Sequence, residues 1–204
     1  MRFRRDAVTA VDEVAIRRAQ AGDAAAIAAV HVAAWRETYT GLVPARMLSA
    51  FPLARRIRRW QRILTSPDPS RESAVFVATL PDRTIVGFGS CGRQPAPDLL
   101  AGGFAGEFSA LYLLAAQQRR GIGRRLMTLM AQDLLARGMQ GAALWVLRDN
   151  APARRFYEAL GARRVGQRVE TVDAHLTGRP GRPQADALLH EFAYGWPDLA
   201  LLAR

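Results

Sequence analysis

Lysine is absent from this 204-residue chain, and all 29 basic side chains are arginine. The absence excludes a phosphate loop of the GxxxxGK type, which needs its lysine at the terminal phosphates. It reads as a codon bias of GC-rich coding more than as a design for one ligand. Cysteine is almost absent as well: Cys91 stands alone, so no internal disulfide can form. The three histidines (His31, His175, His190) are scattered, and no metal site is expected. No apolar run is long enough to span a membrane, and the basic stretch from Met1 to Asp12 lacks the apolar core of a signal peptide. A cytoplasmic, globular chain is therefore expected, long enough as one domain to bury about two thirds of its surface.

What is present is an apolar content of 50% and a formal net charge of +11. Such a field attracts anions of any kind, coenzymes and nucleic acid alike, so charge ranks partners poorly. Arg55, Arg58, Arg59 and Arg62 form a stripe on a helix predicted from Leu53 to Leu64, opposite Leu53, Ile57, Trp60 and Leu64. No aromatic or glycine-rich pattern interleaves with the stripe. A solvated outer face is expected, and nucleic acid is not an expected partner.

In order along the chain, residues 1–13 read as an arm and Val14–Ala19 as a first strand. Asp23 is placed to cap a helix running to about Thr38, and Pro44 starts a short one. Ala74–Leu80 and Ile85–Cys91 form a hairpin, in which Gly87 and Gly89 weaken a strand unless something needs the room. Gln94–Gly106, rich in proline and glycine, reads as a mobile loop of functional length. Glu107–Leu114 is a strand, Ala142–Leu147 is an apolar strand buried on both faces, and Asn150-Ala151-Pro152 opens a helix ending at Gly161. A final antiparallel pair, Arg163–Val172 and Ala187–Trp196, is joined by a loop holding Gly178 and Pro183; residues 197–204 read as a tail.

The chain is organised around Leu111 to Leu126. There an apolar strand stops at Gln117-Gln118-Arg119-Arg120-Gly121-Ile122-Gly123 and a helix follows. A helix start offers backbone N–H groups without intrahelical partners, a dipole that favours anions, and here glycines that let a phosphate approach closely. The dinucleotide fingerprint GxGxxG fails, because Leu126 stands where the third glycine belongs. Gln118, Gly121 and Gly123 instead match Gln/Arg-x-x-Gly-x-Gly/Ala. Downstream, Asn150 to Gly161 matches Asn-x-x-Ala-x-x-Phe-Tyr-x-x-x-Gly.

On these two motifs the sequence resembles the GNAT superfamily of N-acetyltransferases. Trp35-Arg36-Glu37-Thr38-Tyr39 with Gly41 to Pro44, and Ile85 to Phe88, extend the likeness, which covers about residues 14–196. Mild departures are Leu114-Ala115-Ala116 in place of Val-x-Pro, and Ala162 in place of Phe. The resemblance implies an α/β (α+β) fold. Its central sheet would be mixed and mostly antiparallel, with about seven strands, helices on both faces, and a splay between the fourth and fifth strands. It implies acetyl-CoA as co-substrate and a primary amine as acceptor, either a small molecule or a peptide, with a homodimer a common state. Leu113 and Ala115 would offer main-chain groups to the coenzyme arm. Gln118, Arg119, Arg120, Gly121, Ile122, Gly123 and Arg124 would hold the pyrophosphate. Asn150 would bond the arm, cap its helix, or do both.

Acetyl transfer needs a neutral amine, whereas an alkylamine with a pKa of about 10.4 arrives protonated. Glu107 is the first candidate base and Glu37 the second, the alternative for Glu107 being mere exposure at a strand start. Tyr157 stands where the family carries the acid that protonates the departing thiolate, or else is a core aromatic beside Phe156. Trp35 and Tyr39 wall the acceptor pocket or pack on the sheet. A non-catalytic acyl-CoA-binding regulator is the rival reading, and a basic nucleic-acid-binding protein the weaker one.

Overall fold

The computed structural model describes residues 14–49, 52–65, 73–171 and 188–204. The arm 1–13, the connector after Thr65 and the loop around Gly178 to Pro183 lie outside them. Among the described residues seven strands form one sheet in the order β1-β2-β3-β4-β5-β7-β6. They are β1 Ala15–Arg18, β2 Ala74–Thr79, β3 Ile85–Arg93, β4 Gly106–Leu113, β5 Ala142–Leu147, β6 Arg163–Thr171 and β7 Leu188–Trp196. All neighbours run antiparallel except β4 and β5. That parallel pair has only two registered positions, Gly106 with Ala142 and Glu107 with Ala143. Beyond them the two strands diverge, as the resemblance implies. Among the described residues no helix is long and apolar enough to cross a membrane.

One face of the sheet carries α5 (Ile122–Ala136) and α6 (Ala151–Ala159). Leu126, Met130 and Leu134, spaced by four along α5, are completely buried in a core with Phe76 and Ala78 of β2 and Leu144 and Val146 of β5. Gly87 and Gly89 of β3 serve this packing. A Cβ on Gly89 would sit 2.8 Å from the Met130 sulfur, and one on Gly87 would collide with the Leu113 side chain. The other face carries α1 (Ala24–Tyr39), α2 (Ala45–Ser49) and α3 (Leu53–Thr65). There Ile27, Trp60, Val77 and Phe88 make one core, and Val32, Trp35, Met47, Leu147 and Leu189 a second.

Several expectations change. Asp23 does not cap α1 with its side chain; its carboxylate turns back to accept from Gln20 N–H (2.7 Å) and to pair with Arg17 (2.7 Å). On α3 the predicted apolar face packs through Ile57, Trp60 and Leu64, but Leu53 at its start is 45% exposed and Arg56, 6% exposed, is buried beside that face. The Gln94–Gly106 connection is not an open loop. It holds a short helix, α4 (Pro97–Ala101), and its Leu99 and Phe104 are buried against Ala143 and Ala193. Its start is tied by Gln94, whose N–H donates to Ala105 O (2.9 Å) and whose side chain accepts from Ala96 N–H (3.1 Å). Residues 197–204 also join the core: Leu199 is fully buried, and Gln132 of α5 donates to Ala203 O (2.8 Å).

Candidate active site at the strand divergence

Past Glu107, β4 keeps its partner β3 on one edge and loses β5 on the other. Leu114 N–H donates to Val86 O (3.0 Å). By alternation, Leu113 and Ala115 turn their main-chain groups to the open edge. Those groups have side-chain partners in this structure: Gln118 Nε2 donates to Leu113 O (3.2 Å), and Glu37 Oε2 accepts from Ala115 N–H (2.9 Å).

A bulge decides which way the start of β4 faces. Ser90 pairs with Ala110 and Cys91 with Phe108, leaving Ser109 as the extra residue, its hydroxyl 2.7 Å from that of Ser90. The extra residue inverts the alternation, so Phe108 turns to the α5 core and Glu107 shares a face with Ala110 and Tyr112. Glu107 is thus half-buried at the closed end of the divergence, on the face of α1 and α3.

At the open end the turn behaves as the glycine spacing predicts. Gly121 has φ +76°, Arg119 has φ +61°, and α5 starts at Ile122 with no side chain capping it. The first-turn N–H groups of Ile122, Gly123 and Arg124 therefore have no intrahelical or capping side-chain partner and lie at the positive end of the helix dipole, an arrangement able to receive an anion. Gly121 keeps its space open, with no heavy atom within 4 Å of an added Cβ. Gly123 has a different reason: a Cβ there would lie 3.2 Å from the Phe156 ring, so this glycine lets α6 pack against α5. Of the flanking arginines, Arg119 and Arg124 are exposed, Arg120 bonds Gln117 (2.5 Å), and Arg125 is drawn away to Val14 O (2.9 Å).

Three phenols gather where the strands part. The Tyr39 hydroxyl is hydrogen-bonded to that of Tyr112 and receives the Asn150 side-chain amide. The same Asn150 caps α6, its Oδ1 accepting from Ala153 N–H (3.2 Å). Capping is thus real, and the other end of the amide reaches the divergence. Tyr157 on α6 is 9% exposed, with ring centroids 5.4 Å from Phe156 and 6.0 Å from Trp196. Burial, and secondarily the Tyr39 phenol, push its ionisation well above the ordinary range, so its proton stays in place at any working pH. Burial likewise lifts Tyr112 to about 12 and raises Tyr39. Trp35 is 2% exposed and lies 4.2 Å from Tyr39, centroid to centroid, so it buttresses the tyrosine from the core.

Sequence reasoning missed two charged residues here. Glu191, 3% exposed in β7, stands opposite Leu147 on the face of α1 and α2 and accepts from Arg168 Nε (2.8 Å). The Arg168 guanidinium also reaches Glu170 and stacks 4.2 Å from the Trp145 ring. A carboxylate inside the apolar run Leu188 to Trp196 was the available signal. Arg56 is the second; its charge, after burial itself, holds His31 down to about 3. His31 is therefore neutral, with Nδ1 accepting from Trp60 Nε1–H (3.1 Å) and its ring 4.5 Å from Tyr112.

Comparison with known proteins follows this geometry. The acetyltransferase (GNAT) family matches residues 27–162. An uncharacterized N-acetyltransferase of Bacillus subtilis, YuaI, is 32% identical over 190 residues, covering 93% of this chain and 96% of its own. One from Archaeoglobus fulgidus is 32% identical over 149 residues, 73% of this chain and 92% of its own. Among solved structures, the PaiA N-acetyltransferase of Thermoplasma acidophilum in complex with coenzyme A aligns with a TM-score of 0.60 at 17% identity, over 87% of this chain and 97% of that one. Salmonella typhimurium YncA, solved with its cofactor acetyl-CoA, gives 0.60 at 16% identity, over 91% and 94%. The diverging strand pair, the uncapped glycine turn and the sequence relatives agree, and the chain belongs to the GNAT family of acetyltransferases.

Proposed function

We propose that this protein transfers the acetyl group of acetyl-CoA to a primary amine by direct attack within a ternary complex. The observation that carries the reading is the open edge of β4 ending in an uncapped helix start. The edge supplies main-chain donors and acceptors for the amide-bearing coenzyme arm at Leu113 and Ala115. The turn supplies the N–H groups of Ile122, Gly123 and Arg124 for the diphosphate, with Gln118, Arg119, Arg120 and Gly121 around them.

The acceptor enters on the α1 face, between the roof made by α1 and α2 and the one made by α4. Glu107 at the closed end is the candidate to take the ammonium proton, directly or through water. The neutral amine then attacks the thioester carbon, forming the C–N bond. The oxyanion is stabilised by an open-edge N–H of β4. As the C–S bond breaks, the electron pair leaves on sulfur and the Tyr157 phenol delivers a proton to it, the phenol being restored by the second proton that the nitrogen sheds as it becomes a neutral amide. The phenol's retained proton and its place beside the divergence support that role. Trp35 and Tyr39 shape the acceptor side from the core.

The test follows thiol release from acetyl-CoA across amino acids, small amines, aminoglycosides and peptide N-termini, with coenzyme A binding measured by calorimetry. Coenzyme binding with amine-dependent thiol release is the expected result. Coenzyme binding with no transfer to any amine would favour the non-catalytic regulator.

A further inference from the structure

The two open-edge groups that the coenzyme arm would use are both engaged. Leu113 O accepts from Gln118, whose own turn holds the anion site, and so moves with it. Ala115 N–H is engaged differently, by a carboxylate from α1, 78 residues away in sequence. Glu37 is exposed and two residues from the end of α1 at Tyr39, so its side chain can leave without disturbing the core. It also sets a negative charge at Ala115, on the same strand-to-helix connection that would receive the diphosphate.

We propose that Glu37 is a latch on the coenzyme track: it holds Ala115 N–H in the free protein and yields it when acetyl-CoA binds. The inference rests on the reading of the β4 edge given above. Binding exchanges one acceptor on Ala115 N–H for another, the carboxylate for an amide carbonyl of the coenzyme arm. The hydrogen-bond count is conserved, but a charge-assisted bond is replaced by a neutral one, and the exchange opposes binding. Removing the carboxylate removes both the competing acceptor and the repulsion of the diphosphate. A tie that merely fastens α1 to β4 makes the opposite demand, since its loss would loosen the track and weaken the coenzyme.

The experiment titrates coenzyme A into the full-length wild type, Glu37→Ala and Glu37→Gln by calorimetry, and follows Ala115 amide exchange by NMR. Glu37→Ala should bind coenzyme A about 5- to 20-fold tighter, since an exposed charged bond is worth less than a buried one, and Glu37→Gln should fall between. The Ala115 amide should be protected in the free wild type, exchange faster in free Glu37→Ala, and regain protection with coenzyme A. Equal or weaker affinity in a folded variant, with the wild type binding normally, overturns the latch alone. A wild type that does not bind coenzyme A overturns the reading of the track and the latch with it. If Glu37→Ala does not fold, the isosteric Glu37→Gln decides by the same two measurements.

Discussion

Tyr157→Phe separates the chemical from the packing role of this residue. The ring stays 5.4 Å from Phe156 and 6.0 Å from Trp196, and α6 keeps its cap from Asn150, so only one oxygen is lost. The hydroxyl is buried where its ionisation is resisted, so its removal mainly relieves the desolvation of one polar atom. The net change is about 1 kcal/mol in either sense, or ~2–4 °C in Tm for a domain of this size. Loss of a general acid is far larger, on the order of 10²–10⁴-fold in kcat. Tyr39→Phe is the matched control. It breaks the bonds to Tyr112 and Asn150 and strands a buried amide, which costs about 1–3 kcal/mol. The assay is thermal melting, coenzyme A calorimetry and acetyl transfer on the same preparations. Tyr157→Phe should melt and bind like the wild type and fail in turnover, whereas Tyr39→Phe should lose mainly stability. Wild-type kcat in Tyr157→Phe refutes the acid. Because its ionisation is pushed well above the usual phenol range, the wild type should show no loss of turnover from Tyr157 below pH ~10.

Three further outcomes are expected. Gly121→Trp should melt within a few degrees of wild type, since its Cβ meets open space and only the left-handed backbone is strained by about 1–2 kcal/mol, yet coenzyme A affinity should fall at least ~50-fold; unchanged affinity in calorimetry would remove the cradle. Arg168→Ala should cost about 3 kcal/mol in urea unfolding and Glu191→Ala roughly half that, because the first takes the guanidinium from a carboxylate 3% exposed and the second frees a guanidinium already 35% exposed; the reverse order would refute this account of the pair. His31 titrates at about 3 in the fold and about 6.5 unfolded, so below 6.5 the unfolded chain binds the extra proton and stability is lost as pH falls toward 3. Replacing His31 with Phe should flatten that acid slope by up to ~1.4 kcal/mol per pH unit in urea melts from pH 7 to 4; an unchanged slope would assign it elsewhere.

Local chemistry made the glycine turn and the Asn150 helix start legible in the sequence. Gly121 announces a left-handed residue, and Asn150 with Pro152 announces a capped first turn, whatever surrounds them. Arg56, Glu191 and Glu37 were not legible in the same way. Arg56 stands next to the apolar face of α3 in an arginine-rich helix, and nothing local says that it, unlike Arg55, Arg58 or Arg59, is buried. Glu191 requires knowing that β6 sets Arg168 opposite it, and Glu37 that α1 ends beside Ala115. Gly123 shows the subtler case: the motif offers it as a phosphate contact, whereas the structure gives it a task against Phe156 that no local motif carries.

The seam between β4 and β5 also bears on how the chain assembles. β1 to β4 are laced to one another antiparallel, as are β5, β7 and β6, whereas the two groups meet at only two registered positions. So short a ladder cannot hold the groups together by itself. The core beneath it does so, since Leu126, Met130 and Leu134 of α5 lie under strands of both groups, and a Cβ on Gly106 at the seam would sit 2.9 Å from Leu134. Each half of the sheet can thus form its own hairpins early, and the joint closes when α5 docks. Amides along the seam should exchange faster than those of either half, and truncating Leu134 should open the joint before it melts the strands it joins.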